Sequence, residues 1–259
     1  MKNVIKAVKS FAAAAVIGVA AMPAQSGVIE LALVLDASGS MSSSEFNLQK
    51  SAYANIFGSG TFYDDYVVGG DDLWVSSWKF AESVSQEQTW TLINDNASAA
   101  AFGATFASIS QSGVGSWTNT ASAVVEATAS ILGNAYSGKG IIDISTDGVP
   151  TRCAPNCFGQ PNNGSGSSTA AISAATDASN NGVTVNAIGV GNGINAGFLN
   201  SFTTAGGGFY STAANFNAFQ TALETKLFRE INAPVSEPAT LALLMLGLAG
   251  LASARRKAA

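Results

Sequence analysis

The stretch Val28-Ile29-Glu30-Leu31-Ala32-Leu33-Val34-Leu35-Asp36-Ala37-Ser38-Gly39-Ser40 sets a long apolar run against an abrupt polar stop at Asp36. A nearly unbroken apolar run from Val28 to Leu35 reads as a strand buried on both faces, the habit of parallel sheets. Immediately after it, Ser42-Ser43-Ser44-Glu45 supplies helix-start chemistry, and a helix is expected to about Phe57. Gly58 to Asp65 reads as a turn-rich connection. Leu73 to Phe80 then reads as a strand, and Gln88 to Leu92 as an antiparallel neighbour at the sheet edge. Two Ala-rich helices are expected over Asn94 to Ile109 and Asn119 to Leu132, and a central strand over Gly140 to Thr146. Thr151 to Ser168 is a long loop rich in Gly, Asn and Ser. Beyond it follow a helix (Ala170 to Asn180), a strand (Val183 to Val190) and a short helix (Ala196 to Ala205). A short strand beginning at Phe209-Tyr210 and a closing helix (Phe216 to Ile231) complete the body. Repeated strand–helix units of this kind imply an α/β fold, a doubly wound, mainly parallel sheet flanked by helices on both faces.

Composition narrows the chemistry. The chain has 259 residues, 47% hydrophobic and only 11% charged, which is enough to bury a sizeable core. It contains no histidine, so Ser-His-Asp and Cys-His nucleophile pairs and His-ligated zinc sites are excluded. Half of the twelve basic residues lie at the two ends: Lys2, Lys6, Lys9, Arg255, Arg256 and Lys257. Between Ser26 and Val235 six basic residues face sixteen acidic ones, so the body repels phosphate backbones and is expected not to bind nucleic acid. It favours cations.

In an open parallel sheet, ligands bind beyond the carboxyl ends of the strands. Three loops expected there carry oxygen donors: Asp36-Ala37-Ser38-Gly39-Ser40 after the first strand, Trp117-Thr118-Asn119-Thr120 opening a helix, and Thr146-Asp147-Gly148 after the central strand. Asp36, Ser38, Ser40, Thr118 and Asp147 together make two carboxylates and three hydroxyls, a hard-oxygen set suited to Mg²⁺, Mn²⁺ or Ca²⁺. Three of the five are neutral, so a bound cation keeps positive character toward a further carboxylate. Asp143, inside the central strand, lies about 13 Å from Asp147 at strand rise and is expected to be a buried, hydrogen-bonded carboxylate. Trp74, Trp78 and Trp90 are expected to pack on strand faces.

Asp36-x-Ser38-x-Ser40, the distant Thr118, and Asp147-Gly148 resemble the metal-ion-dependent adhesion site of von Willebrand factor type A domains, over about Val28 to Ile231. The segments Leu-Asp-Ala-Ser-Gly-Ser, Ile-Asp-Ile-Ser-Thr-Asp-Gly and Gly-Val-Thr-Val-Asn-Ala-Ile-Gly look closest to a bacterial secreted branch without an assigned activity. The resemblance implies direct cation contact by Ser38, Ser40 and Thr118, contact mainly through water by Asp36 and Asp147, Mg²⁺ as the first cation to test, and a protein or matrix ligand donating a carboxylate. It implies a binding protein, not an enzyme. A Gly-x-Ser-x-Gly nucleophile elbow is absent, and Ser38 stands where an aspartyl phosphatase needs its second Asp. The rival reading is a structural matrix protein that assembles without using a metal.

The ends read as addresses. Lys2, Lys6 and Lys9, the apolar run Phe11 to Met22 and the small residues near Ala24-Gln25-Ser26 have the order of a secretory signal peptide, giving a 1–25 signal segment and a domain over 26–232. Residues 233–259 carry Glu237-Pro238, an apolar run of 16 residues from Ala239 to Ala254, and the basic Arg255-Arg256-Lys257. That layout resembles the PEP-CTERM sorting signal of Gram-negative bacteria, departing from it at Ser236. It implies an inner-membrane helix, cutting by an exosortase-type protease, and a place in the periplasm, at the cell surface or in an exopolysaccharide matrix. A tail anchor that is never cut is the alternative, since both uses need a similar apolar length. In an oxidising compartment Cys153 and Cys157 read as a local disulfide, with too few soft ligands nearby for a metal pair.

Overall fold

The computed structural model describes residues 27–191 and 193–233. The expected signal peptide and the apolar tail, with Glu237 and Pro238, lie outside these. Among the described residues no helix is long and apolar enough to cross a membrane.

Six strands form one sheet: β1 (Val28–Asp36), β2 (Asp72–Phe80), β3 (Val84–Ile93), β4 (Lys139–Thr146), β5 (Val183–Val190) and β6 (Tyr210–Ala213), in the order β3-β2-β1-β4-β5-β6. All pairings are parallel except β2 with β3 at the edge. The helices are α1 (Ser43–Phe57), α2 (Phe62–Tyr66), α3 (Asn96–Thr105), α4 (Thr120–Gly133), α5 (Gly164–Asn180), α6 (Ala196–Ala205) and α7 (Phe216–Ile231). β1 is paired along its length with β2 on one side and β4 on the other. Its side chains are buried on both faces, as its apolar run requires.

The two faces are filled differently. On one, Leu31, Leu33 and Leu35 meet an aromatic layer that includes Phe46, Tyr53 and Phe57 of α1, Phe102 of α3 and Phe219 of α7. Phe57 stacks on Phe62 at a centroid distance of 4.3 Å and tilts against Phe102 at 5.0 Å. On the other, Ala32, Val34, Ile142 and Ile144 meet an alanine-rich layer from α4 and α5, including Ala123, Ala127, Ala171 and Ala175. Small side chains there let two helices approach each other and the sheet closely, because packing at interior density leaves no space for a void.

Local chemistry sets the helix starts. Ser42 and Glu45 form a capping box on α1, with Glu45 accepting from the Ser42 backbone N–H. Asn119, Asn163, Asn195 and Asn215 cap α4, α5, α6 and α7, each side chain accepting a first-turn backbone N–H that has no partner within its helix. Several boundaries differ from expectation, and the edge strand β3 begins at Val84, ahead of the expected Gln88. The 58–65 connection contains part of α2, held by Phe62 buried under Phe57 and Tyr66. The long loop ends sooner, because the Asn163 cap starts α5 at Gly164, ahead of Ala170. The helix expected over Asn94 to Ile109 tightens after Thr105 into a 3₁₀ turn, Phe106–Ser108. Trp78 is buried, Trp74 stacks on Tyr136 at 3.7 Å, and Trp90 donates to Ser130 Oγ.

Candidate metal centre

The order of the strands puts the switch point between β1 and β4: the chain leaves β1 toward β2 and returns on the other side with β4. Adjacent parallel strands whose crossovers leave in opposite directions open a crevice at their carboxyl ends. Asp36 ends β1 and Asp147 directly follows β4, so the crevice brings together two carboxylates that are far apart in sequence.

Asp36 is fully buried, and both of its carboxylate oxygens are engaged. The Ser38 backbone N–H donates to Oδ1 at 2.8 Å and Thr146 Oγ1 donates to Oδ2 at 2.6 Å. Ser38 Oγ and Ser40 Oγ are 3.0 Å apart, and Ser40 Oγ donates to Asp147 Oδ1 at 2.7 Å. Asp36, Ser38, Ser40 and Asp147 therefore form one connected set. Thr118 is held through its backbone: its N–H donates to Thr151 Oγ1 at 3.0 Å, and its carbonyl accepts from the N–H groups of Thr151 and Arg152. It faces the same cleft of about 740 Å³ as Ser40, Asp147 and Gly148, with Glu45, Leu48 and Phe216 also on the lining. The Gly39 N–H bonds to the Ser116 carbonyl, fixing the β1 loop against the segment that leads into Thr118. A Cβ on Gly193 would stand 2.8 Å from the Asp147 carbonyl oxygen, so the loop after β5 closes on this site only with glycine there.

The charges at this point lack a partner. Burial pushes the Asp36 carboxyl up to about 6 against the pull of its hydrogen bonds from Ser38 and Thr146, and the Asp147 charge adds to the rise. Asp147 is also raised, by burial first, with Ser40 opposing and Glu45 contributing. Two neighbouring carboxylates share this crevice without a lysine or arginine on its lining, so the charge of one raises the other. The donor set is all oxygen. Among the described residues no group of three or more His, Cys, Asp or Glu gathers anywhere, so the hydroxyls of Ser38, Ser40 and Thr118 are what raise the donor count here. These residues fit a hard divalent cation and offer nothing to a soft one.

Several supporting residues were given no role of their own by the sequence. Thr146 orients Asp36, Thr151 holds Thr118, and the buried Gln49 donates from Nε2 to the Asp36 carbonyl at 3.0 Å. Cys153 and Cys157 are joined in a disulfide, Cα to Cα 4.7 Å, directly beyond Thr151 and Arg152. The same loop is tied to α4, since Asn119 Nδ2 donates to the Ala154 carbonyl at 2.8 Å.

Comparison with solved structures shows the fold. BatB from Bacteroides thetaiotaomicron superposes with a TM-score of 0.54 at 20% identity, covering 79% of this chain and 100% of that one. The pilus adhesin SpaC from Lactobacillus rhamnosus GG gives 0.59 at 15%, covering 79% of this chain and 31% of that one. Proximal thread matrix protein 1 from the mussel byssus, with a zinc-occupied metal-ion-dependent adhesion motif, gives 0.57 at 17%, covering 78% and 46%. A von Willebrand factor type A protein from Catenulispora acidiphila gives 0.59 at 15%, covering 81% and 44%. This chain thus spans all of BatB and less than half of the other three. No curated protein matches it in sequence. Residues 234–257 match the PEP-CTERM protein-sorting motif, which implies export to the surface or exterior of a bacterial cell and processing by an exosortase-type protein. Residues 28–235 match the family described as protein of unknown function DUF1194, and the chain belongs to that family, on a von Willebrand type A-like fold.

Proposed function

We propose that this protein is an exported binding protein that uses a divalent cation, Mg²⁺ first, to capture a carboxylate-bearing protein or matrix ligand. The observation that carries the reading is the convergence of Asp36, Ser38, Ser40, Thr118 and Asp147 at the switch point, with two raised carboxyls and no basic side chain lining the cleft there. Ser38, Ser40 and Thr118 would hold the cation, and Asp36 and Asp147 would supply its countercharge. The bound cation offers a positive charge with room for one more oxygen ligand. Leu48, 42% exposed on the cleft lining, gives an incoming segment an apolar surface beside that charge. Neutral hydroxyl donors keep the assembled site from becoming net negative, so an incoming carboxylate is not repelled.

The domain spans 26–232 in this reading, behind a 1–25 signal peptide. The 233–259 tail holds the exported chain at the inner membrane of a Gram-negative bacterium until it is cut near Glu237-Pro238. The mature protein then sits at the surface or in an exopolysaccharide matrix. It performs no catalysis.

Calorimetric titration of the domain with Mg²⁺, Mn²⁺ and Ca²⁺, beside Asp147→Ala, tests the reading. Saturable binding in the parent and a loss of at least tenfold in the variant, with the circular dichroism spectrum unchanged, is the expected outcome. A silent titration of the parent would favour the matrix protein that assembles without metal.

A further inference from the structure

Beneath the aromatic face, away from the cleft, three ionisable side chains are packed out of water. Asp143 belongs to the middle of β4, and Lys226 and Glu230 lie one turn apart on α7. All three are at most 1% exposed. Lys226 Nζ contacts Asp143 Oδ1 and Glu230 Oε1 directly. The Phe209 ring lies 5.9 Å from the same nitrogen.

As an ion cluster this arrangement is poorly compensated. Two carboxylates share one ammonium, and among the described residues Asp143 Oδ2 and Glu230 Oε2 have no hydrogen-bond partner. A buried charge without full pairing is expensive. Burial, with the Asp143 charge beside it, raises the Glu230 carboxyl above the usual carboxylate range against the pull of Lys226. The cluster holds an amine, a carboxyl group in contact with it, and a second carboxyl group whose Oε1 accepts from the same nitrogen, all in a water-excluded site.

We propose that Lys226 and Asp143 condense into an intramolecular amide cross-link, with Glu230 relaying the protons. Lys226 Nζ passes one proton to the Asp143 carboxylate and becomes a neutral amine. Its lone pair attacks Asp143 Cγ, and the Nζ–Cγ bond forms. A second proton leaves Nζ through Glu230 Oε1, the oxygen it already contacts, and is passed on to the departing hydroxyl, so the Cγ–O bond breaks and water leaves. Glu230 ends as it began, nothing is oxidised or reduced, and one water is the only by-product. Holding the two groups in contact replaces a bimolecular encounter with an intramolecular step, and a carboxyl group positioned on the same nitrogen is suited to carry the proton. The product removes the ammonium and carboxylate charges together.

The bond would join α7, the last helix before the 234–257 sorting motif, to the central strand β4. Pull applied at the C-terminal end would then reach the sheet through a covalent link and not through helix packing alone. The cross-link is independent of the metal site.

Peptide mass spectrometry of the exported protein tests it, with a readout independent of processing at either end. Trypsin acting on the cross-linked chain yields residues 140–152 joined to 153–229, uncut at Lys226 and one water lighter than the two peptides together. That species, resistant to reduction of the disulfide, is the expected result. Separate peptides cut after Lys226 from the folded wild-type protein overturn the proposal and leave an ion cluster. Glu230→Gln, which keeps the side chain's size, is expected to fold and to give the separate peptides, cut after Lys226. Linkage at the wild-type yield in that variant would overturn the role of Glu230, and should the variant not fold, the wild-type digest alone decides whether the cross-link exists.

Discussion

Asp36→Asn separates binding from stability, because the structure gives it opposite effects on the two. In the cation-free protein, burial raises the Asp36 carboxyl from 3.8 to about 6. At 1.36 kcal/mol per unit, holding it ionised at pH 7 costs on the order of 3 kcal/mol. The sign follows from proton linkage: the folded state binds this proton more tightly than the unfolded state. The Asp36 contribution to stability in the cation-free protein is therefore greatest below about pH 4, falls as the pH rises toward 6, and is level above that. Asparagine is always neutral and nearly the same size. Its oxygen still accepts from the Ser38 N–H, its amide can donate to Thr146 Oγ1, and the Thr146 hydroxyl proton can turn to the Gly148 carbonyl, already 3.3 Å away. With the hydrogen bonds largely kept, urea denaturation in chelator at pH 7 should find the variant about 2–3 kcal/mol more stable than wild type, after up to about 1 kcal/mol is allowed for weaker hydrogen bonds. The gap should close toward pH 4, while cation binding at pH 7 is abolished. A variant less stable than wild type at pH 7 in chelator, or a gap that does not change with pH, refutes the claim that Asp36 is an uncompensated buried charge awaiting a cation. Wild-type cation affinity in the variant refutes its part in the site.

The remaining expectations use other links in the molecule. Replacing both Cys153 and Cys157 by serine frees the loop whose first residues hold Thr118, so cation affinity should fall several-fold by calorimetry; unchanged affinity means the loop keeps its shape without the disulfide. Phe57→Ala removes a ring packed against Phe62, Phe102 and Phe106 and should cost about 3–5 kcal/mol in chemical denaturation, with a loss under about 1 kcal/mol marking a core that collapses into the gap. Mass spectrometry of the C-terminal peptide from the native host should end near Ser236, whereas mature protein carrying peptides through Arg255 would point to a permanent tail anchor.

Local signals in the chain were sufficient for most of the architecture. β5, α6 and α7 have the bounds expected from the sequence, because a two-residue or 3.6-residue period acts within one turn of where it is read. The antiparallel edge strand was legible from its alternation, and the two carboxylates at strand ends from the abrupt stop after each apolar run. The elements that escaped this reading depend on partners distant in sequence. Five-residue α2 has too few turns to stand alone and exists because Phe62 finds Phe57 and Tyr66. Only the register of β1 against β4 brings the Thr146 hydroxyl to Asp36, 110 residues away, and only the fold of the 151–157 loop brings Thr151 to Thr118. Asp143 could be read as a buried carboxylate from its place in a strand. That its partner is Lys226, 83 residues later, was decided by the packing of α7 across β5 and β6, which brings the Lys226 side chain to β4, since a helix's own pattern says which face is buried but not which strands it will meet.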